Sequence, residues 1–505
     1  MNLERKLSDI ESIIYRVYQE RKPPGLTFGL FDKQGLILEK SLGYANLETQ
    51  LKVNRNTSFM VGSITKLLTV IAFMQNYEKG FIDLDDPVNN YLPKGKIVTK
   101  NGWPEVRFRH ILTHTSGIGE LRSIYDIFKK GFRLLTYDDE EIPPLNSFHE
   151  LPVKPASPAG AKYAYSNVAV SILGYVIEQL NGISFRQYIL ENILQPLDMV
   201  RSDLIRTEVI KENEAIGYKL KTRNKYKRAK RWNNIIKPSG ALLSSLNDMV
   251  KFGQMNLNKG KFGTNQILKP KTFELMWSPH YYAHDKIMER NSIGFIYRLH
   301  NLNGHFIVEH TGGVNGFNTA FVCLPENNLG FFTSCNLNEG MYNRTTLKLR
   351  NEILKLLTDI SKEHPKTFPQ PNKSHWSQIK GYYGGYPGFL TNTRIITAGI
   401  EFKITEKKEK LHFSGLIGKQ KKGILLHSTE DPFVYIEYNK KDESIYYSTK
   451  YIFDTDDDGT VIGLSREFDR FRKLNLPQTF RFKIYLSITG IFAIIILAII
   501  ILLFI

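Results

Sequence analysis

Ser63 is followed three residues later by Lys66, within Phe59-Met-Val-Gly-Ser-Ile-Thr-Lys-Leu-Leu-Thr-Val-Ile-Ala-Phe73. The apolar run after Lys66 reads as a buried helix with Ser63 in its first turn. Residues three apart on a helix share a face, so Lys66 lies beside the Ser63 hydroxyl. A serine alcohol is a poor nucleophile until a neighbouring base removes its proton. Lysine is such a base only as a free amine, which burial and nearby positive charge favour. Backbone N–H groups at the helix start are placed to assist an alkoxide and a later oxyanion. The chemistry this spacing suggests is serine acylation. A second Ser-x-x-Lys, Ser377 to Lys380, runs into a Gly-rich stretch instead of a long apolar helix and is set aside.

Two further stretches complete the set. Pro158-Ala-Gly-Ala-Lys-Tyr-Ala-Tyr165-Ser166-Asn167 leads into an apolar-periodic helix over Val168 to Leu180. Tyr165 and Asn167, two apart in an extended or loop segment, can face one cavity. A tyrosine can relay a proton between lysine, serine and leaving group. An asparagine amide can contact a substrate carbonyl. The other stretch is Glu309-His310-Thr311-Gly312-Gly313, after strands read over Gly294 to Val308. Its glycines let backbone approach a ligand, and a strand edge there can offer an N–H to an oxyanion.

The elements that must position these residues follow from the same patterns. Leu3 to Glu20 has helical spacing, and Pro23-Pro24-Gly25 stops it. Leu26 to Phe31 and Leu36 to Leu42 read as strands joined by Asp32-Lys-Gln-Gly35, and Gly80 caps the Ser63 helix. Residues 119–155 are read as irregular, wrapping one rim of the site, and Gly240 to Phe252 as a helix start with an apolar face. Phe317 to Leu324 and Leu329 to Ser334 form a hairpin around Pro325-Glu-Asn-Asn328, and Thr345 to Leu357 a closing helix. In that hairpin Leu324 pairs with Leu329 and Cys335 falls near Asn318. The two cysteines, Cys323 and Cys335, are therefore expected as buried free thiols.

Composition excludes several classes. At 505 residues, 42% hydrophobic and 23% charged, the bulk of the chain is neither disordered nor fibrous. The net charge of +18 raises nucleic-acid binding, but no zinc-finger spacing, RRM-like aromatic signature or basic zipper accompanies it. The excess is read as solubility plus attraction to an anionic membrane surface. Lys219 to Arg231 holds eight basic residues, as a solvated hairpin or loop, or as a membrane-facing or substrate-steering patch. His110 and His114 are four apart, but no Glu lies between them and Gly117 ends the segment, so neither a metal nor any cofactor is assigned.

Residues 1–20 are charged with no apolar core, so no secretory signal peptide is expected. Ile484 to Ile505 is an uncharged apolar run of about 33 Å as a helix, enough for a bilayer core. Arg466, Arg470, Arg472, Lys473, Arg481 and Lys483 precede it. The expectation is a single-pass C-terminal anchor with the preceding domains on the cytoplasmic side.

Taken in order, these motifs resemble the serine β-lactamase-related family, which includes class C β-lactamases, D-alanyl-D-alanine carboxypeptidases and related esterases and peptidases. The resemblance covers about 360 residues and rests on the Gly25 strand pair, Ser63-Ile-Thr-Lys66, Leu112-Thr-His-Thr-Ser-Gly117, Tyr165-Ser-Asn167 with Gly174, Gly240 with Asp248, and His310-Thr-Gly312. It implies Ser63 as acylated nucleophile, Lys66 and Tyr165 as general acid/base pair, and Asn167 as a substrate-amide contact. His310, Thr311 and Gly312 match the third family motif, with backbone N–H groups of Ser63 and Gly313 as oxyanion hole. The implied fold is α+β, an antiparallel sheet flanked by helices with a helical lobe. Many β-lactamases carry Lys where this chain has His310; relatives with His are more often peptidases or esterases, and histidine is only partly charged near neutral pH.

The organisation expected is a hydrolase domain over 1–360, a Pro-containing linker over 361–374, a β-domain over 375–475 and the apolar helix over 484–505. The β-domain resembles the lipocalin-like barrel of some family members. Its turns are read at Gly384-Gly385, Glu406 to Lys410, Gly418 to Lys422 and Asp454 to Gly459, the last imitating half a calcium loop but taken as a β-turn. The function expected is a membrane-anchored serine hydrolase acting on a small-molecule, peptide or ester substrate, with no nucleic acid. The alternative is a slow-acylating or inactive ligand-sensing protein of the same fold. Cytoplasmic placement would make the substrate an intracellular peptide, ester or lipid-like amide.

Overall fold

A computed structural model describes residues 3–121, 126, 128–138, 140–222, 225–287, 292–338, 345–360, 367–385, 401–415, 423–437, 449–466 and 469–479. The chain divides into two compact units, Met1–Ser361 and Lys362–Ile505.

The first unit is built on a nine-stranded antiparallel sheet. From one edge its strands run Tyr281–Tyr282, Ser292–Ile293, Arg298–Leu302, His305–Val314, Phe317–Leu324, Leu329–Cys335, Gly25–Phe31, Leu36–Asn46 and Leu51–Lys52. Gly25–Phe31 and Phe317–Leu324 are buried at every position, because their side chains are apolar or small on both faces. Such strands need cover on both sides. Leu246–Leu257 packs over the central strands, and Leu3–Arg21 pairs with Thr345–Leu357 against the sheet. The hairpin register is as expected: Leu324 opposes Leu329, Cys335 opposes Asn318, and both cysteines are free and buried.

Beside the sheet lies a helical lobe around Thr65–Glu78 and Asn167–Asn181. Thr65–Glu78 is apolar around most of its circumference, which places it inside the lobe. Gly174 lets the second helix meet the turn Lys237–Ser239, since a Cβ there would lie 2.1 Å from Pro238 Cγ.

Two readings change in this unit, and one alternative is chosen. Residues 119–155 hold order among the described residues: Leu135–Tyr137 pairs with Trp232–Asn234, and Leu145–His149 is a short helix. Gly240 does not begin a helix. It follows the Lys237–Ser239 turn, Leu243–Ser244 pairs with Phe59–Met60, and the helix starts at Leu246, where the Ser245 hydroxyl accepts the Asp248 N–H. A serine there satisfies a first-turn donor, which Gly240 has no side chain to do. The basic run resolves into a hairpin, Tyr218–Thr222 against Lys225–Arg228.

A buried ion-pair network anchors the sheet next to the third motif. Glu309, 2% exposed, takes the Arg350 guanidinium on both oxygens and His300 Nε2 at 2.8 Å. Burial alone would raise its pKa, but Arg350 and His300 together hold it far below the usual carboxylate range. A depressed carboxyl contributes stability that is present above the unfolded pKa of about 4.3 and lost as pH falls. Arg350→Met should therefore cost about 3–5 kcal/mol near neutral pH, because it takes the guanidinium from both oxygens of a buried carboxylate and leaves His300 as its partner. Urea unfolding across pH checks this. The difference from wild type should narrow in acid, and equal stability at pH 7 would contradict the account.

The second unit is a closed antiparallel barrel of eight strands: Gly381–Gly385, Glu401–Lys407, Lys410–Gly415, Ile424–Ser428, Val434–Glu437, Lys450–Thr455, Val461–Arg466 and Asp469–Leu474. Gly381–Gly385 closes it by pairing with both the second and the last strand. Aromatic side chains pack its core, among them Tyr383, Phe402, Phe413, Tyr451, Phe453 and Phe471. The Trp376 indole donates to Tyr435 Oη at 2.9 Å. An eight-stranded barrel is what forms; nothing in it singles out the lipocalin type.

Gly384 and Gly385 are strand residues, not a turn: Gly384 opposes Glu401 and Arg472, and Gly385 opposes Phe471. Glycine in a barrel strand marks a bend as readily as a chain reversal. Lys407 opposes Lys410 across a two-residue turn in which Lys408 and Glu409 have φ of 49° and 56°, the left-handed pair of a type I′ hairpin. At Asp454 to Gly459 the chain turns with Gly459 at φ 76°, and Asp456 Oδ1 accepts the Thr460 N–H. Gly418 to Lys422 and the apolar run Ile484 to Ile505 lie outside the described residues. Among the described residues no single helix is long and apolar enough to cross a membrane. One bent pair, Asn167–Asn181 with Phe185–Leu194, passes on composition and supplies buried residues to the lobe core.

Candidate active site

The strand Phe59–Met60 delivers the chain into a tight turn, Gly62–Ile64, from which Thr65–Glu78 continues. The turn is pinned from inside: Thr65 Oγ1 donates to Gly62 O at 2.6 Å and accepts the Leu242 N–H at 3.0 Å. Ser63 is thus held at the mouth of a buried helix, 8% exposed, with Lys66 one turn on and fully buried. Lys66 Nζ lies 3.2 Å from Ser63 Oγ, as the three-residue spacing requires. It also donates to Asn167 Oδ1 at 2.7 Å and to the Ser239 carbonyl.

Tyr165 reaches the same serine from the other side, Oη to Oγ 2.9 Å. Its ring lies beneath the lysine, 5.0 Å from Nζ to the centroid, and is backed by His114, stacked at 4.3 Å and 29°. Ser166 fixes the placement. Its hydroxyl accepts the Ala169 N–H at 3.0 Å and donates to Gly119 O at 2.8 Å, capping the helix that starts at Asn167. Asn167 is therefore the first helical residue, not part of an extended segment. Its amide bridges Lys66 and Glu120, with Nδ2 3.2 Å from Glu120 Oε1.

The strand His305–Val314 brings the third motif against the Ser63 turn. Gly312 touches the backbone there: a Cβ on it would sit 1.9 Å from Val61 O. Gly62, at φ 57°, faces Gly313, whose N would lie 2.9 Å from a Cβ at Gly62. Only glycines allow this approach. His310 is buried, with Nδ1 2.9 Å from Thr311 O and its ring 6.5 Å from that of Tyr165. Thr311 is half-buried and Gly313 exposed.

The structure thus gathers Ser63, Lys66, Tyr165 and Asn167 into one hydrogen-bonded cluster, with His310 to Gly313 along its edge. His110 and His114 do not converge: His110 Nδ1 accepts the Arg107 N–H, while His114 stacks on Tyr165. Among the described residues no three His, Cys, Asp or Glu side chains gather as metal ligands. The second Ser-x-x-Lys lies in the barrel unit, where Lys380 pairs with Glu406 at 2.9 Å.

Sequence reasoning missed Glu120, Ser239 and the stacking of His114. Glu120 is a lone acid in a stretch with no periodicity. Ser239 contributes a backbone carbonyl, which carries no residue signature. His114 had a signal, its place beside Gly117, but two histidines four apart drew attention to metal binding instead.

A protein-family model described as Beta-lactamase matches residues 10–355. Protein flp of Staphylococcus aureus (strain NCTC 8325 / PS 47) is 24% identical over 347 residues, 68% of this chain and 66% of flp, so the chain spans just under two thirds of that relative. The putative penicillin-binding protein PbpX of Bacillus subtilis (strain 168) is 29% identical over 248 residues, 48% of this chain and 56% of PbpX. Among solved structures, the octameric penicillin-binding protein homologue from Pyrococcus abyssi aligns with TM-score 0.59 and 24% identity, over 92% of this chain and 99% of its own. SurE with D-Leu aligns with TM-score 0.61 and 18% identity, over 93% and 100%. These two likenesses describe the fold.

Proposed function

The chain belongs to the Beta-lactamase family, and on that footing we propose that it is a serine hydrolase forming an acyl-enzyme at Ser63 with an amide or ester substrate. The observation that carries the reading is Ser63 Oγ held between Lys66 Nζ at 3.2 Å and Tyr165 Oη at 2.9 Å, all three side chains buried. Lys66 as amine takes the Ser63 proton while Oγ attacks the substrate carbonyl. The backbone N–H groups of Ser63 and Gly313 receive the oxyanion in this reading, which the close approach of Gly62 to Gly313 supports. The proton passes through Tyr165 to the leaving group, and the same pair then activates water against the acyl-ester. In this reading Asn167 and Thr311 contact the acyl portion of the substrate, as the family resemblance implies. His310, where a lysine would fix a carboxylate permanently, supports peptidase-like or esterase-like substrates over efficient penicillin hydrolysis.

Intact mass after incubation with a fluorophosphonate, a penicillin and activated D- and L-amino-acid esters tests this. An adduct that forms and decays supports a hydrolase, and the decaying member points to the substrate class. A persistent adduct would instead favour a slow-acylating sensor. No adduct with any reagent would remove Ser63 as nucleophile.

The apolar run Ile484 to Ile505, with basic residues before it, supports single-pass anchoring and a cytoplasmic Ser63. In sealed inverted vesicles, protease should then digest the Ser63 unit. Protection of its peptides would reverse the orientation, and recovery of the full chain in the soluble fraction would remove the anchor.

A further inference from the structure

An amine that acts as a base has two N–H donors and one lone pair, and which partner meets the lone pair decides whether it can work. Around Lys66 Nζ, the Asn167 Oδ1 and the Ser239 carbonyl are both acceptors. With the two N–H groups on these, the lone pair faces Ser63 Oγ. The Ser239 carbonyl is backbone and cannot exchange roles. Asn167 can: turned by half a rotation, its Nδ2 would donate to the amine and occupy the lone pair that Ser63 needs.

What prevents that rotation is on the far side of the amide. Glu120, 4% exposed, presents Oε1 at 3.2 Å to Asn167 Nδ2. An ionised carboxylate only accepts, so the turned amide would set Oδ1 against Oε1 in a buried site. Resting on the reading of Lys66 as base, we propose that Glu120 is a positioning residue: it locks the Asn167 amide so that the Lys66 lone pair stays directed at Ser63.

Among the described residues, the groups facing this arrangement include Ser63 on the turn before the lysine's helix, Tyr165 and Asn167 from the 165–167 segment, and the Ser239 carbonyl from the Lys237–Ser239 turn. His114 and His310 lie behind Tyr165. Lys237 on that turn interacts with Glu178. Glu120→Gln keeps the size but removes both the charge and the acceptor-only character, so its effects on rate and on pH have opposite signs. The plateau of kcat/KM should fall by about tenfold or more, because the lone pair is no longer reserved for Ser63. The acid limb should meanwhile move to lower pH by about one unit, because a negative charge near Lys66 is gone.

The experiment is the pH profile of kcat/KM for whichever activated ester the wild-type full chain turns over, with thermal midpoints recorded alongside. Glu120→Asp, which keeps an acceptor-only group, should hold the acid limb at its wild-type place even if Glu120→Gln folds poorly. In an Asn167→Ala background, where no amide remains to be locked, Glu120→Gln should change the plateau by less than twofold. An unmoved plateau and limb in folded Glu120→Gln, or the full loss persisting without Asn167, overturns the proposal. Like behaviour of the Asp and Gln variants overturns it as well. A wild type that never forms a Ser63-dependent adduct refutes instead the hydrolase reading beneath it.

Discussion

Ser63→Ala should abolish the covalent adduct and lower kcat/KM by about a million-fold where the wild type turns over, while leaving the fold in place. The size of the loss follows from the geometry. Lys66 and Tyr165 both converge on Oγ, so without that atom neither has a proton to move or an alkoxide to stabilise. What survives is binding and the oxyanion donors, worth far less than the covalent step. Stability should barely change. The methyl group of alanine fills most of the serine's volume, and Lys66 keeps its bonds to Asn167 and Ser239. Mass spectrometry reads the adduct and thermal unfolding the fold. An adduct of undiminished yield on Ser63→Ala would place the nucleophile elsewhere. Ser377 of the second motif is the first site to map, although its lysine is exposed and committed to Glu406.

The contrast between these two motifs shows what was legible from sequence. Both have serine and lysine three apart. Only the first is followed by a run apolar on all faces, and a helix of that kind must be internal. Burial could be read there because burial is written in composition. The hairpin from Phe317 was legible for a related reason: a strand pair with a short turn has its register set locally, which placed Cys335 opposite Asn318. What escaped depends on contacts between segments far apart in the chain. Glu120 meets Asn167 across 47 positions and Lys66 meets the Ser239 carbonyl across 173. Neither pairing leaves a periodic trace. Asn167 reads from sequence as a substrate-amide contact through the family resemblance, with no sign that its amide also joins Lys66 to Glu120. In the structure its two ends are on Lys66 and Glu120. Gly384-Gly385 failed for the opposite reason, since a glycine pair signals backbone freedom without saying whether the freedom serves a turn or a bend in a barrel.

Replacing Lys66 separates catalysis from packing. Lys66→Met keeps an unbranched side chain of similar length in a fully buried slot and removes only the amine. Acylation should slow by about 100- to 10,000-fold, the range a positioned general base supplies. Stability should fall too, because Asn167 Oδ1 and the Ser239 carbonyl each lose a buried donor, at about 1–3 kcal/mol apiece. That second effect could be mistaken for the first, so the two need separate readouts. Lys66→Ala opens room for a small amine in place of the side chain. Methylamine added to it should raise the acylation rate in proportion to the unprotonated amine present, whereas a chain that is merely misfolded would not respond. Tyr165→Phe provides the complement: it keeps the amine and the ring beneath it but removes the relay to the leaving group. Substrates with poor leaving groups should therefore suffer more from it than activated esters. If Lys66→Met acylated at the wild-type rate, the proton of Ser63 would have to leave by way of Tyr165 alone, and the lysine would be reduced to holding Asn167 and the Ser239 turn in place.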